Sequence, residues 1–89
     1  MPATEDGVLA LSGPVTFDHA ARLARECAAR AARAHTLDWS AVTEADSSAV
    51  ALMLEFARAA GRAHIQRGLP AGLSSLMTLY GVENLVCAP

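Results

Sequence analysis

The sequence has no lysine, only four aromatic residues and a low share of charge, with 18% charged residues. All seven basic residues are arginine, and nine acidic residues leave a net charge of −2. A nucleic-acid binder that works by neutralising phosphates needs an excess of positive charge. The composition therefore excludes that class, and we expect no nucleic-acid partner.

Cysteine and long apolar runs are also scarce. Cys27 and Cys87 stand far apart and form no C-x-x-C pair, which argues against a disulfide scaffold and favours two small buried residues. No stretch reaches the ~18–20 apolar residues of a membrane-spanning helix. Residues 1–6 lack the basic start of a signal peptide. We therefore expect a cytoplasmic protein without direct membrane insertion.

What the chain has instead is a high apolar content, with 53% hydrophobic residues that include 20 alanines. Disordered chains combine low hydrophobicity with high net charge, so disorder is excluded. A chain of 89 residues holds one modest core. We expect one domain over residues 1–89.

Apolar periodicity and turn signals predict alternating strands and helices. The first turn is expected at 12–14, Asp18 is expected to cap the first helix, and residues 40–47 are expected to form a loop. This order predicts an α/β fold with a mixed sheet of four to five strands and about three helices mostly on one face. The predicted strands are 7–11, 15–17, 36–39, 63–67 (with Ile65 inward) and 84–87, and the predicted helices are 19–34, 47–60 and 71–79. Ala20 and Ala24 are expected on the buried apolar face of the first helix, and the spacing of Tyr80 predicts its burial beside the third.

Signatures of catalysis are missing. The chain has no glycine-rich phosphate loop and no G-x-S-x-G elbow. His19, His35 and His64 are scattered and lack a partner at metal-ligand spacing. We therefore expect no enzyme activity, no metal and no cofactor.

Acidic residues concentrate in one segment. Residues 36–55 carry a charge of −4 from Asp38, Glu44, Asp46 and Glu55, whereas the flanking segments are positive. Such a segment suits a basic partner surface. The alternative is a solvated loop whose carboxylates cap a helix and pair with nearby arginines.

The same segment contains Asp46-Ser47-Ser48 at the start of an apolar helix. A phosphate on either serine would gain the favourable field of a helix start and add about −2 of charge, which could switch binding off. The alternative is that all three residues simply cap the helix, as helices require regardless of function.

At these residues the sequence resembles the STAS domain family, to which anti-sigma factor antagonists and the tails of sulfate transporters belong. The matching pattern is a strand ending in Asp38-Trp39-Ser40, a short loop, and Asp46-Ser47-Ser48-Ala49-Val50 at a helix start. Residues 9–13 resemble the first strand and turn of the family. The resemblance implies a STAS-like fold over nearly the whole chain.

Within the family, residues 9–13 and 76–82 are most similar to the MlaB type. These are cytosolic STAS subunits of an ABC transporter that moves phospholipid and maintains outer-membrane lipid asymmetry. The resemblance implies an accessory subunit that binds the transporter ATPase and lies peripheral to the inner membrane through it. The implied binding surface comprises Thr43, Glu44, Asp46, Ser47, Ser48, Ala51 and Glu55.

The resemblance also implies an alternative, an anti-sigma factor antagonist that binds an anti-sigma factor kinase and is controlled by serine phosphorylation. In that branch the second hydroxyl position is phosphorylated, which matches Ser48, whereas Ser47 matches the important hydroxyl of the MlaB type. Ala49 stands where glycine is usual. Both branches stay open from sequence.

Overall fold

The computed structural model describes residues 3–5 and 7–88. Strands and helices alternate along most of the chain, as predicted. The elements are β1 (Ala3–Glu5), β2 (Val8–Val15), α1 (Phe17–Arg33), β3 (Thr36–Ala45), α2 (Ser47–Ala60), β4 (Ile65–Arg67), α3 (Ala71–Tyr80) and α4 (Glu83–Val86).

The strands form one sheet in the order β1-β2-β3-β4. Strands β2, β3 and β4 are parallel, and β1 lies antiparallel to β2 at one edge. The expected mixed α/β architecture is therefore present, with three parallel strands as its centre. Four helices occur in the described residues, one more than the sequence suggested.

One face of the sheet is buried and the other is open. On β3, Leu37 and Trp39 are buried, whereas the alternate residues Asp38 and Ser40 are half-buried and exposed, respectively. Successive side chains of a strand point to opposite faces, so the helices cover the face of Leu37 and Trp39. The core beneath the helices includes Leu9, Leu11, Leu23, Cys27, Val50, Leu52, Met53, Phe56, Leu73 and Met77.

Strands β2 and β3 are longer than the sequence suggested. The predictions of a turn at 12–14 and of a loop at 40–47 are wrong, because β2 runs to Val15 and β3 to Ala45. Their pairing continues through two register shifts, and Gly13, at φ +74°, supplies a backbone conformation that other residues rarely adopt. The long pairing of β2 with β3 therefore gives these residues backbone hydrogen-bond partners, although their sequence favours a turn and a loop.

The start of α1 also differs from expectation. No separate strand forms at 15–17, because Val15 ends β2 and Phe17 begins α1. Asp18 is not the cap. Thr16 holds that position without a side-chain capping hydrogen bond, and Asp18 lies in the first turn.

The second and third helices follow the sequence closely. Asp46 caps α2 by accepting a hydrogen bond from the Ser48 N–H, and Gly61 ends this helix in the left-handed region. Helix α3 ends likewise at Gly81. Caps and left-handed glycines are local signals, which explains why these boundaries were predictable.

The C-terminal part of the fold differs from the prediction at three places. Residues 84–86 of the strand predicted at 84–87 belong to helix α4, and Cys87 forms only an isolated parallel β-bridge with His64. Ile65 does not point inward but is 46% exposed, and Tyr80, which was expected to be buried, is 49% exposed. The alternation of buried and exposed residues around β4 is therefore the reverse of the prediction. His64, just before the strand, is fully buried, and Ile65 faces outward.

On the open face, Asp38 connects β3 to β4. Its carboxylate accepts hydrogen bonds from the N–H and hydroxyl of Ser40, and it pairs with Arg67 at 2.9 Å. The Ser40 hydrogen bonds, followed by the contact with Arg67, lower the pKa of Asp38 to about 2. Asp38 and Ser40 of the Asp38-Trp39-Ser40 motif thus make hydrogen bonds within the domain, and the pair with Arg67 links β3 to β4.

His64 is the one buried polar side chain of the described core. Its Nε2 lies 2.7 Å from the Ala31 carbonyl oxygen, so Nε2 carries the proton and donates, while Nδ1 has no partner within the described residues. Burial lowers the pKa of His64. The hydrogen bond to Ala31 opposes this effect, and the nearby charges of Arg62 and His35 reinforce it.

We predict that the domain loses stability in mild acid through His64. Its folded-state pKa lies below the ordinary 6.5, so its contribution is complete above pH 6.5 and is lost as pH falls toward the folded-state pKa. The loss is about 1.4 kcal/mol per unit of pKa depression. Urea unfolding between pH 7.5 and 5 measures it.

The His64→Gln variant should show a flatter pH dependence than the wild type, because the buried imidazole is removed. An unchanged slope in His64→Gln would assign the acid sensitivity to other groups.

Candidate functional site

The beginnings of α1 and α2 lie side by side and share one carboxylate. Asp46 Oδ1 accepts a hydrogen bond from the Ser48 N–H at 2.8 Å, and Oδ2 accepts one from the Phe17 N–H at 3.1 Å. The first backbone N–H groups of a helix have no partner within the helix. Asp46 therefore satisfies one such group in each helix and ties the two starts together.

The charge on Asp46 is stabilised by these contacts. Burial alone would raise the pKa of Asp46, but the backbone hydrogen bonds from Ser48 and Phe17 outweigh it and hold the pKa below its usual value. The carboxylate is thus ionised at neutral pH, and each of its oxygens accepts a hydrogen bond from a backbone amide of the domain.

An apolar groove of about 290 Å³ runs between the first turns of the two helices. Phe17 stands at its edge with 80% of its surface exposed. An exposed large aromatic beside small residues is a typical anchor of a protein interface. We call this surface the two-helix groove; it is lined by Phe17, Ala20, Ala21, Ala24, Ser48, Ala51, Leu52 and Glu55.

Three of the expected partner-binding residues, Ser48, Ala51 and Glu55, line this groove. Asp46 and Ser47 lie at the start of α2, where Ser47 is exposed. Thr43 and Glu44 are exposed on the last part of β3 rather than on a loop. The structure therefore places all seven on α2 or in the residues just before it, with Glu55 about two turns beyond the start of the helix.

Sequence reasoning missed the α1 wall of the groove. Phe17 was assigned to a strand, and Ala20 and Ala24 to a buried face, whereas both alanines are half-buried at the groove. One signal was available, because Phe17, Ala20, Ala21 and Ala24 follow helical spacing. Only the contact with α2 reveals that this stripe is open.

The acidic residues contribute less free charge than the sequence suggested. Asp38 pairs with Arg67 on the open sheet face, Glu55 pairs with Arg58 at 2.8 Å, and Asp46 binds backbone amides. Among the four, Glu44 has no ion pair within the described residues. The site is therefore dominated by apolar surface, with charge at its edge.

The described residues contain no group of three or more metal-ligating side chains. In the part of the chain that the structure covers, no helix is both long and apolar enough to cross a membrane.

Comparison with known proteins identifies the family. A family model described as Mlab, STAS domain matches residues 3–87. Since the match covers nearly the whole chain, this chain belongs to the STAS domain family. No curated protein matches it in sequence.

The fold also resembles solved structures. A structure of the anti-sigma factor antagonist SpoIIAA in its unphosphorylated form superposes with a TM-score of 0.64 and 13% sequence identity. The match covers 89% of this chain and 81% of that one. At this identity the likeness concerns the fold alone.

We predict that Asp46→Ala destabilises the domain by about 1–2 kcal/mol, because it removes the cap of α2 and the acceptor for the Phe17 N–H. Asp46→Asn keeps an acceptor oxygen and should lose less. Urea unfolding at neutral pH measures both, with Glu44→Ala as the control, which should change stability little. Equal stability of Asp46→Ala and wild type would contradict the role of the shared carboxylate.

Proposed function

We propose that this STAS domain is an accessory subunit that binds the cytosolic ATPase of an ABC-type phospholipid transporter, which maintains outer-membrane lipid asymmetry. Two findings support the transporter branch: the description of the matching family model and the similarity of residues 9–13 and 76–82 noted in the sequence. The observation that carries the proposal of binding is the two-helix groove with its exposed Phe17.

The groove supplies a physical basis for association. Fully burying a phenylalanine side chain contributes about 1.5–3 kcal/mol, and aromatic anchors in pockets dominate many interfaces. The small side chains of Ala20, Ala21, Ala24 and Ala51 allow a partner helix to approach closely. We infer that a helix of the ATPase packs across the starts of α1 and α2.

We further propose that the domain acts without catalysis of its own. Its effect would be to stabilise or regulate the ATPase, and it would be cytoplasmic and peripheral to the inner membrane through that partner. The charged edge, with Glu44 free of ion pairs among the described residues, would orient a basic partner surface.

We predict that Phe17→Ser weakens co-purification with the transporter ATPase by at least about tenfold, since a lost aromatic anchor removes roughly 2 kcal/mol or more. Leu79→Ser is the matched control, because Leu79 is 76% exposed but lies on α3. It should bind like wild type.

Pull-down of the co-expressed ATPase and titration of the purified proteins give the two affinities. Circular dichroism establishes that both variants fold. Equal binding by Phe17→Ser and wild type would remove the groove from the interface, and failure of the wild-type chain to associate would end the transporter proposal.

A second candidate is an anti-sigma factor antagonist whose partner is a kinase. Ser48 favours it, because this serine lines the groove next to the Asp46 carboxylate. A phosphate there would place negative charge against Asp46 and inside an apolar surface, which opposes partner binding. Ser47 is the other candidate acceptor and is exposed.

We predict for this candidate that incubation with a cognate kinase and ATP adds the mass of one phosphate group and releases the partner. Intact-mass spectrometry should show no addition in Ser48→Ala, while Ser47→Ala remains modified. Absence of the modification in wild type, or its persistence in Ser48→Ala, would exclude Ser48 as the switch.

A further inference from the structure

Helix α3 carries apolar side chains on more of its surface than the core covers. Leu73 and Met77 are its two buried side chains, whereas Leu79 is 76% exposed and Tyr80 is 49% exposed. A surface helix normally has polar or charged residues on the side away from the core. Large apolar side chains that are exposed next to one another, unlike single scattered ones, indicate a surface that another molecule covers.

The exposed apolar residues of α3 share one face. Leu76, Leu79 and Tyr80 follow Gly72 by four, seven and eight residues, and this spacing places all four on one side of a helix. Gly72 is exposed and Leu76 is half-buried. We call the surface formed by Gly72, Leu76, Leu79 and Tyr80 the α3 face. It shares no residue with the two-helix groove.

Gly72 is a glycine that neither the backbone nor the core of the domain requires. The five other glycines adopt a positive φ, but Gly72 does not. A Cβ added at Gly72 would meet no atom within 4 Å, so packing within the domain does not exclude a side chain there. Glycine within a helix is unfavourable relative to alanine. At the α3 face it leaves a depression that another side chain can approach closely.

The α3 face carries no charge. Glu83 is the only charged side chain after Arg67, and it accepts a hydrogen bond from the Thr78 hydroxyl at 3.2 Å. Anionic membrane surfaces are recognised by clusters of basic residues, and charged protein surfaces by groups of the opposite sign. The α3 face offers neither, whereas two copies of this uncharged face meet without like-charge repulsion.

The pattern of large and small residues along α3 is complementary to itself. In an antiparallel pair of identical helices related by a two-fold axis, positions equally far from the middle face each other. Gly72 and Leu79 lie equally far from the middle of Ala71–Tyr80, so the large side chain of each copy faces the depression of the other. Ser75 and Leu76 meet in the same way at the centre.

We propose that the α3 face is a contact between two copies of this chain, with the two α3 helices antiparallel and Leu79 of each copy packed against Gly72 of the other. A contact made by one helix of ten residues from each copy is small by the standard of stable dimers. Association is therefore weak and depends on concentration. The proposal does not depend on the ATPase interaction, which uses the starts of α1 and α2.

The test follows the association of the full chain with concentration. In sedimentation equilibrium at up to about 1 mM, the average mass should rise from the 9.2 kDa of one chain toward twice that value. Over the same range, NMR of the chain labelled with nitrogen-15 should show unchanged amide signals for residues 17–24. The signals that should shift are those of residues 72, 75, 76, 79 and 80.

Leu79→Ser should weaken this association at least about tenfold, because the dimer loses two leucine side chains from its contact. The matched control is Leu85→Ser, which removes a leucine that is 60% exposed but lies on α4. This control should associate like wild type.

Gly72→Leu separates association from folding. Leucine is a better helix former than glycine, and the added side chain starts in open space, so the urea midpoint should not fall below that of wild type. The same side chain fills the depression that receives Leu79 and should weaken association at least about tenfold. Ser74→Leu is the matched control, because positions two apart on a helix do not share a face, and it should still associate.

Four results would overturn the proposal. The first two are a wild-type chain that stays monomeric at about 1 mM and association that persists in both Leu79→Ser and Gly72→Leu. The third is a set of concentration-dependent shifts confined to residues 17–24, which would assign self-association to the two-helix groove. The fourth is a monomeric chain whose α3 signals shift with phosphatidylcholine vesicles, which would assign the face to a lipid surface.

The ATPase pull-down distinguishes this proposal from the proposed function. Leu79→Ser and Gly72→Leu should bind the ATPase like wild type, because the α3 face lies apart from the two-helix groove. Loss of self-association with intact ATPase binding supports the dimer contact, and the two proposals fail independently.

Discussion

The architecture of the site depends on one carboxylate that serves two helices. Asp46 accepts hydrogen bonds from the Phe17 N–H at the start of α1 and from the Ser48 N–H at the start of α2. Because both contacts need the ionised form, the charge is held where the two helix starts also favour it. The distance between the first turns of the helices, and therefore the width of the two-helix groove, follows from this arrangement.

The sheet brings the two helices to that point. Val15 is the register partner of Ala45 at the ends of the parallel strands β2 and β3, so the next residues of each strand begin α1 and α2 side by side. The buried face of the sheet then holds both helices through a common core, in which Leu52 and Phe56 are almost fully enclosed. Phe17 has no place in this core, which leaves it available for a partner.

Local signals in the sequence predicted α2, its Asp46 cap and the Gly61 terminus, because each depends on neighbours a few residues away. The ends of β2 and β3 were not predictable, since Ser12-Gly13-Pro14 and residues 40–45 are strand only through pairing with each other. Local sequence likewise favoured Asp18 as the cap of α1. The carboxylate that accepts a hydrogen bond at the start of α1 is instead that of Asp46, 29 residues beyond Phe17 in the chain. The same holds for the site. The sequence predicted the groove residues on α2, whereas those on α1, such as Phe17 and Ala20, become apparent only from the packing of α1 against α2. The resemblance gave the family correctly, while the partner remains a proposal.

The central claim is that the starts of α1 and α2 together form the surface that a partner protein covers. Hydrogen exchange of this chain, alone and in the presence of the transporter ATPase, tests it most directly. We expect slower exchange in residues 17–24 and 47–55 of the complex, with little change in α3. Protection confined to the open face of the sheet or to α3, with both helix starts unchanged, would contradict the claim.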